Sequence, residues 1–225
     1  GGAIEFTGSS VTNIKVGPDY YDVIVSGQNI TPNGKTLNIQ NILSVTPTGE
    51  FIIPSTPESE PPYVVNAFKG VQVESGGELV FENNAQLMQD ADAVNNGHIR
   101  MERQFTFSDM QQGKQYNFVS APVTNPDTDI KSSIYDPNPE SVQRYNEANY
   151  YFYETNGPYE PGKGYAVQET QGTQNEVGSF IGTPNNGDLS FTLEKSNSGY
   201  NLTGNPYPSN LNIDELYTDN SNSID

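Results

Sequence analysis

Two acidic loops and one run of aromatic side chains hold the residues of this chain best suited to chemistry. Asp90, Asp92, Asn95, Asn96 and Glu102 approach the oxygen density of a calcium loop, and Asp127, Asp129 and Asp136 form a second acidic stretch. Ca2+ collects about six to eight oxygen ligands from such side chains. The EF-hand pattern fails here, because Val94 stands at the fifth position and Gly97 is displaced. Loops rich in Asp and Asn also serve purely as turns, their side chains bonding nearby backbone. Asp90, Asp92, Asp127, Asp129 and Asp136 are therefore candidate Ca2+ ligands set against a turn-forming reading. Tyr145, Tyr150, Tyr151, Phe152, Tyr153 and Tyr159 offer faces on which sugar rings stack, with Tyr151, Tyr153 and Tyr159 as the candidate carbohydrate contacts. Strand alternation puts Tyr151 and Tyr153 on one face and Tyr150 and Phe152 on the other, so one set is expected in the core.

Catalytic chemistry finds less support. His98 is the only histidine, so there is no two-histidine metal site, and a hydrolytic triad would need it as the base. It follows Asn95-Asn96-Gly97 at the start of a strand and reads as a surface residue. No G-x-S-x-G elbow, P-loop or dinucleotide fingerprint is present. The absence of cysteine excludes disulfides, thiol catalysis and cysteine-ligated metals. Carboxylate pairs are abundant, so inventory alone leaves glycoside hydrolysis open. Enzymes built on parallel β-helices use a longer groove than the first ninety residues supply, and the expectation is a chain with no catalytic residues.

Charge narrows the partners. The 225 residues carry 10 Lys and Arg against 28 Asp and Glu, a formal net charge of −18. Such a surface repels phosphate backbones and anionic lipid. Nucleic acid and membrane insertion are not expected; divalent cations and neutral glycans suit the charge better. No run of about 18 apolar residues is present to span a bilayer.

The elements that must position these residues read as strands. Val, Ile, Thr, Tyr and Phe alternate with polar residues over short runs, and the 21 Gly and 16 Pro punctuate them. Over residues 1–94 the short segments suggest coils of a parallel β-solenoid, with an antiparallel sandwich as the competing reading. The phrase Gly1-Gly2-Ala3-Ile4-Glu5-Phe6 is echoed by Gly76-Gly77-Glu78-Leu79-Val80-Phe81 and more weakly by Thr48-Gly49-Glu50-Phe51. Asn38, Asn41, Asn83 and Asn84 are expected at coil corners, where Asn tolerates left-handed backbone. The proline-rich residues 54–62 read as a surface excursion of polyproline character.

From 95 to 217 the strands are longer and more aromatic. Eight are expected, Leu189–Leu193 and Tyr200–Leu202 among them, which suggests an antiparallel sandwich of jelly-roll type. Asn212–Tyr217 reads as a short helical turn, and 218–225 as the start of a linker. The fold class expected is all-β, a short parallel β-solenoid followed by an antiparallel jelly-roll-like β-sandwich. The opening phrase already has strand character and no initiator Met, as in a mature product or a fragment of something longer.

Four phrases then carry a resemblance. Tyr116-Asn117-Phe118-Val119-Ser120-Ala121-Pro122-Val123, Gly162-Lys163-Gly164-Tyr165-Ala166-Val167, Phe180-Ile181-Gly182-Thr183-Pro184-Asn185-Asn186-Gly187 and Leu202-Thr203-Gly204-Asn205-Pro206-Tyr207-Pro208-Ser209 stand in order over about 95–217. They resemble the strands and proline-bracketed corner of secreted and cell-surface proteins of the Bacteroidota. The resemblance implies a large multidomain protein exported by the type IX secretion pathway, located outside the cell or on its surface. It carries over no catalytic residues. The functional expectation is a non-enzymatic structural or adhesive segment of a surface or filament protein, partnered by other domains of its own chain or neighbouring copies. The alternatives are a glycan-binding module and an accessory domain of a polysaccharide-active enzyme. No cofactor is expected beyond the candidate Ca2+.

Overall fold

The computed structural model describes residues 2–106, 116–134, 139–168 and 175–224, and these are nearly all β. Four successive circuits of three strands open the chain. They are β1 (Ala3–Phe6), β2 (Thr12–Ile14) and β3 (Asp19–Tyr20); β4 (Asp22–Val25), β5 (Ile30–Pro32) and β6 (Thr36–Ile39); β7 (Ile42–Val45), β8 (Glu50–Ile53) and β9 (Val64–Ala67); then β10 (Gly70–Val73), β11 (Glu78–Phe81) and β12 (Gln86–Met88). Each strand pairs in parallel with the strand three places on, giving sheets β1-β4-β7-β10, β2-β5-β8-β11 and β3-β6-β9-β12. That is the strand order a parallel solenoid requires.

Alternation explains why the circuits stack. Strands β4, β7, β8 and β9 bury every second residue, so each sheet presents one apolar row inward. Register then lays like on like: Val23, Leu43 and Val71 form one column, Val25, Val45 and Val73 a second, and Leu37, Val65 and Leu87 a third. Outward positions carry polar ladders, in which Asn66 donates to Asn38 and Asn38 to Asp19, at 2.7 and 2.9 Å.

The expected echo holds in part. Glu78 lies opposite Glu50 and Leu79 opposite Phe51, so the second and third copies stack directly. The first copy is β1, which pairs with β4 in a different sheet. The first copy therefore does not stack on the other two. Of the expected corner asparagines, Asn84 has the left-handed φ of 68°. Asn38 instead lies within β6, where its amide serves the ladder. The proline-rich excursion leaves from β8 and returns to β9 inside one circuit.

Strand β13 (Ile99–Thr106) joins the second half to the first. One edge of it pairs in parallel with β11 and the other runs antiparallel to β19 (Asn175–Pro184). Between them come β14 (Tyr116–Val119), β15 (Val123–Thr124), helix α1 (Ile130–Ser133), β16 (Ser141–Asn146), β17 (Tyr151–Glu154) and β18 (Tyr165–Gln168). β15 adds to β19, and the other four strands make an antiparallel sheet in the order β14-β18-β16-β17. Helix α2 (Ile213–Asp219) follows, capped by the Asn212 side chain, with no buried residue.

Two expected strands are irregular, Leu189–Leu193 and Tyr200–Leu202. Neither has a core face to bury: Phe191 and Tyr200 are both exposed. The Asn201 amide substitutes for a ladder there, accepting from the Glu194 N–H and donating to the Glu194 carbonyl at 3.0 and 2.9 Å.

Candidate binding face

The antiparallel sheet holds the aromatic residues, and its register decides which of them meet. Phe118 lies opposite Ala166, Ala166 opposite Gln143, and Tyr145 opposite Phe152. One face therefore carries Tyr116 and Phe118 from β14, Ala166 from β18, Gln143 and Tyr145 from β16 and Phe152 from β17. The rings converge: Phe152 stands 5.3 Å from Tyr145 and 6.3 Å from Phe118, centroid to centroid. Ala166 is small and buried, so a shallow trough of about 190 Å³ opens between Tyr116, Phe118 and Phe152 over Ala166 and Gln143. Phe118 is 66% exposed, although it sits in mid-strand. An exposed apolar trough beside an amide suits a ligand with C–H faces and hydroxyl edges.

Of the residues singled out from the sequence, Tyr151 and Tyr153 lie on the opposite face of β17. Their rings meet edge to face at 6.3 Å and 66°, so they do not form one flat platform. Tyr159 does not belong to any surface. It is 3% exposed, its ring packs on Phe180 at 5.3 Å, and its hydroxyl shares a 2.9 Å hydrogen bond with Ser133. Burial raises its pKa, as expected of a core phenol. The alternation argument expected one face of β17 to be buried, but all four of Tyr150, Tyr151, Phe152 and Tyr153 are exposed. β17 is an edge strand of its sheet, and both faces of its aromatic run are exposed.

The acidic residues are engaged internally. Lys69, one circuit earlier, reaches Asp90 and Asp92, each at 2.9 Å. Its pKa is raised, first by the Asp90 hydrogen bond and then by that of Asp92, while Lys69 lowers that of Asp92. Asn95 exchanges hydrogen bonds with Gln89 and accepts from the Val71 N–H, and Glu102 pairs with Arg100 at 2.9 Å. Asp129 caps α1 by accepting from the Lys131 and Ser132 N–H groups, and its second oxygen accepts from Gly157. These bonds, Gly157's first, hold its carboxyl below the usual range. Asp127 is exposed, and Asp136 lies outside the described residues. Among the described residues no group of three or more His, Asp or Glu side chains is placed to hold a metal ion. His98 is exposed at the start of β13.

Sequence reasoning missed a buried carboxylate. Glu147, in the turn after β16, is 2% exposed and accepts from the backbone N–H groups of Ser196, Asn197 and Gly199 at 2.7, 2.8 and 2.7 Å. Those bonds, Gly199's first, lower its pKa. The signal available was the Ser196-Asn197-Ser198-Gly199 loop, whose small residues let successive amides converge on an anion.

A family model described as a domain of unknown function (DUF8693) matches residues 23–225. The chain belongs to the DUF8693 family. No curated protein and no solved structure gives a match. The DUF8693 match runs from β4 through α2 and so takes in the coil stack and the aromatic sheet together. In this DUF8693 chain the four phrases noted in the sequence converge on one corner. Asn185 donates to the Ala121 and Pro206 carbonyls, Tyr207 donates to the Gly187 carbonyl at 2.8 Å, and Gly164 donates to Leu202 at 3.0 Å. The Pro208 carbonyl in turn accepts from Leu87 on β12, the edge strand of its sheet. Covering such an edge blocks further pairing there.

Proposed function

We propose that this chain is an extracellular, non-enzymatic structural and adhesive segment of a larger surface protein. Stacked parallel circuits supply a stiff base, and the antiparallel sheet carries an adhesive face. The observation that carries this reading is the aromatic trough. Phe118, Phe152 and Tyr116 stay open around a small-residue floor. Ring faces spaced in this way suit pyranose C–H faces, and the Gln143 amide supplies a donor and an acceptor beside them. The charge of −18 favours a neutral or sparsely charged glycan over a polyanion. Extracellular location draws on the same charge and on the resemblance of the four phrases.

Binding to a panel of insoluble polysaccharides tests the proposal. Phe152→Ala and Tyr145→Ala should each weaken retention several-fold, while Tyr217→Ala on the exposed helix α2 should not. A well-folded protein retained by none of the panel, or retention indifferent to Phe152, would sink it.

A further inference from the structure

We propose that a second cleft, beside the aromatic trough, binds the carboxylate of an acidic sugar through Arg103. Along β13 the core-facing row reads Ile99, Met101, Arg103, Phe105, and the other three are buried. Arg103 itself is half-buried, and a guanidinium partly withdrawn from water is costly unless it is paired. Among the described residues its one hydrogen bond runs from Nη1 to the Glu102 carbonyl at 2.7 Å, and no carboxylate lies within ion-pair distance. Most of its donors are left for something else.

Arg103 lines a cleft of about 230 Å³, walled also by Phe118, Ser120, Pro122, Leu202 and Asn205. Arg103 is the only charged residue among those lining it. Ser120, on its wall, has a hydroxyl enclosed by protein with no hydrogen-bond partner among the described residues. Burial disfavours the charged guanidinium, and a bound anion would reverse that.

A single cation favours a singly charged, planar carboxylate, which the guanidinium meets with two parallel hydrogen bonds, over a doubly charged phosphate. Phe118 lines both this cleft and the trough, so one ligand can touch both. The choice of a sugar rests on the glycan-binding reading of the trough; the choice of a carboxylate rests on Arg103 alone. The ligand is thus a uronate carried on a sparsely charged glycan.

Titration of the whole chain with glucuronate, glucose and N-acetyl-aspartyl amide at physiological ionic strength, followed by NMR, decides it. Glucuronate should bind saturably, and glucose and the blocked aspartate at least about tenfold more weakly. Arg103→Met should lose about tenfold or more in glucuronate affinity with an unchanged or raised Tm, since it removes a charge from an apolar row. Arg103→Lys, which keeps the charge but not the fork, should bind with intermediate strength and carries the test if the Met variant does not fold. Phe152→Ala should leave glucuronate binding intact, which separates this cleft from the trough. Equal binding of glucose or of the blocked aspartate, no saturable binding by folded protein, or affinity unaffected at Arg103 would overturn the assignment.

Discussion

The side-chain amide of Asn185 donates to the Pro206 carbonyl at 2.8 Å, tying the end of β19 to the proline-bracketed corner. The same amide reaches the Ala121 carbonyl, and its oxygen accepts from Thr124 Oγ1 at 2.6 Å. A proline contributes no N–H, so a chain turning at Pro206 and Pro208 cannot be held by a ladder and needs side chains to secure its carbonyls. Asn185→Ala leaves two buried carbonyls without this donor and should cost about 1–3 kcal/mol. Urea denaturation measures it; a loss below a few tenths would mean that water replaces the amide.

Acid should loosen the second half through Glu147. Its folded carboxyl titrates below the ordinary glutamate value of about 4.3, because three backbone N–H groups stabilise the charged form. The stabilisation is fully present above the ordinary value and is lost as pH falls through the lower folded value. Asp129, also depressed by backbone N–H groups, acts with the same sign. Glu147→Gln should lower Tm at neutral pH, and the gap from wild type should close as the solution is acidified. A gap that stays constant with pH would show that shape and not charge holds the loop.

What could be read from the sequence follows from the range of each interaction. Val23, Leu43 and Phe51 announce themselves by period-two alternation, a local signal, and so all-β character was legible. The stacking of Phe51 under Leu79 was legible because both follow a glycine-led turn; the place of β1 was not, because pairing partners lie a full circuit away. The aromatic run at 150–153 was visible, but the trough needs Phe118, over thirty residues earlier, and only the β14-β18-β16-β17 order brings it beside Phe152. Tyr159 looked like part of the same cluster; the chain turns between Gly157 and Gly162, both at positive φ, and sends it into the core. Asp90 and Asp92 looked like cation ligands from the oxygen density of their loop; their partner Lys69 stands one circuit before them in sequence and beside them only in space.

The coil stack should behave as one unit with the sheet that follows it. Phe51 is fully buried between Ile30 and Leu79 in neighbouring circuits. Phe51→Ala should cost about 3–5 kcal/mol. Because β13 pairs with strands of both halves, that loss should appear as a single transition shifted to lower denaturant, detected alike by far-UV dichroism and tyrosine fluorescence. Two separated transitions, with only one displaced, would show that the halves unfold independently.

Tight backbone approach sets the junction itself. Gly97 has φ +82°, and a Cβ there would stand 1.9 Å from the Val73 carbonyl oxygen. Gly97→Ala should therefore destabilise by more than the ordinary left-handed penalty of about 1–2 kcal/mol, since backbone must also move. A Tm within error of wild type would mean that residues 95–98 can shift without disturbing β13.

Tyr150 presents the opposite case. It adopts φ 56° in the loop between β16 and β17, a region that costs an L side chain about 1–2 kcal/mol. Its ring is exposed, so little packing offsets that cost. Tyr150→Gly should raise stability by about 1 kcal/mol, read as an increase in Tm. Strain retained at an exposed aromatic is the pattern expected where the ring is used, and the same variant should then lose polysaccharide retention. A gain in Tm with retention unchanged would leave the trough as the adhesive surface and remove the loop tip from it; a fall in Tm would show that the ring packs in solution.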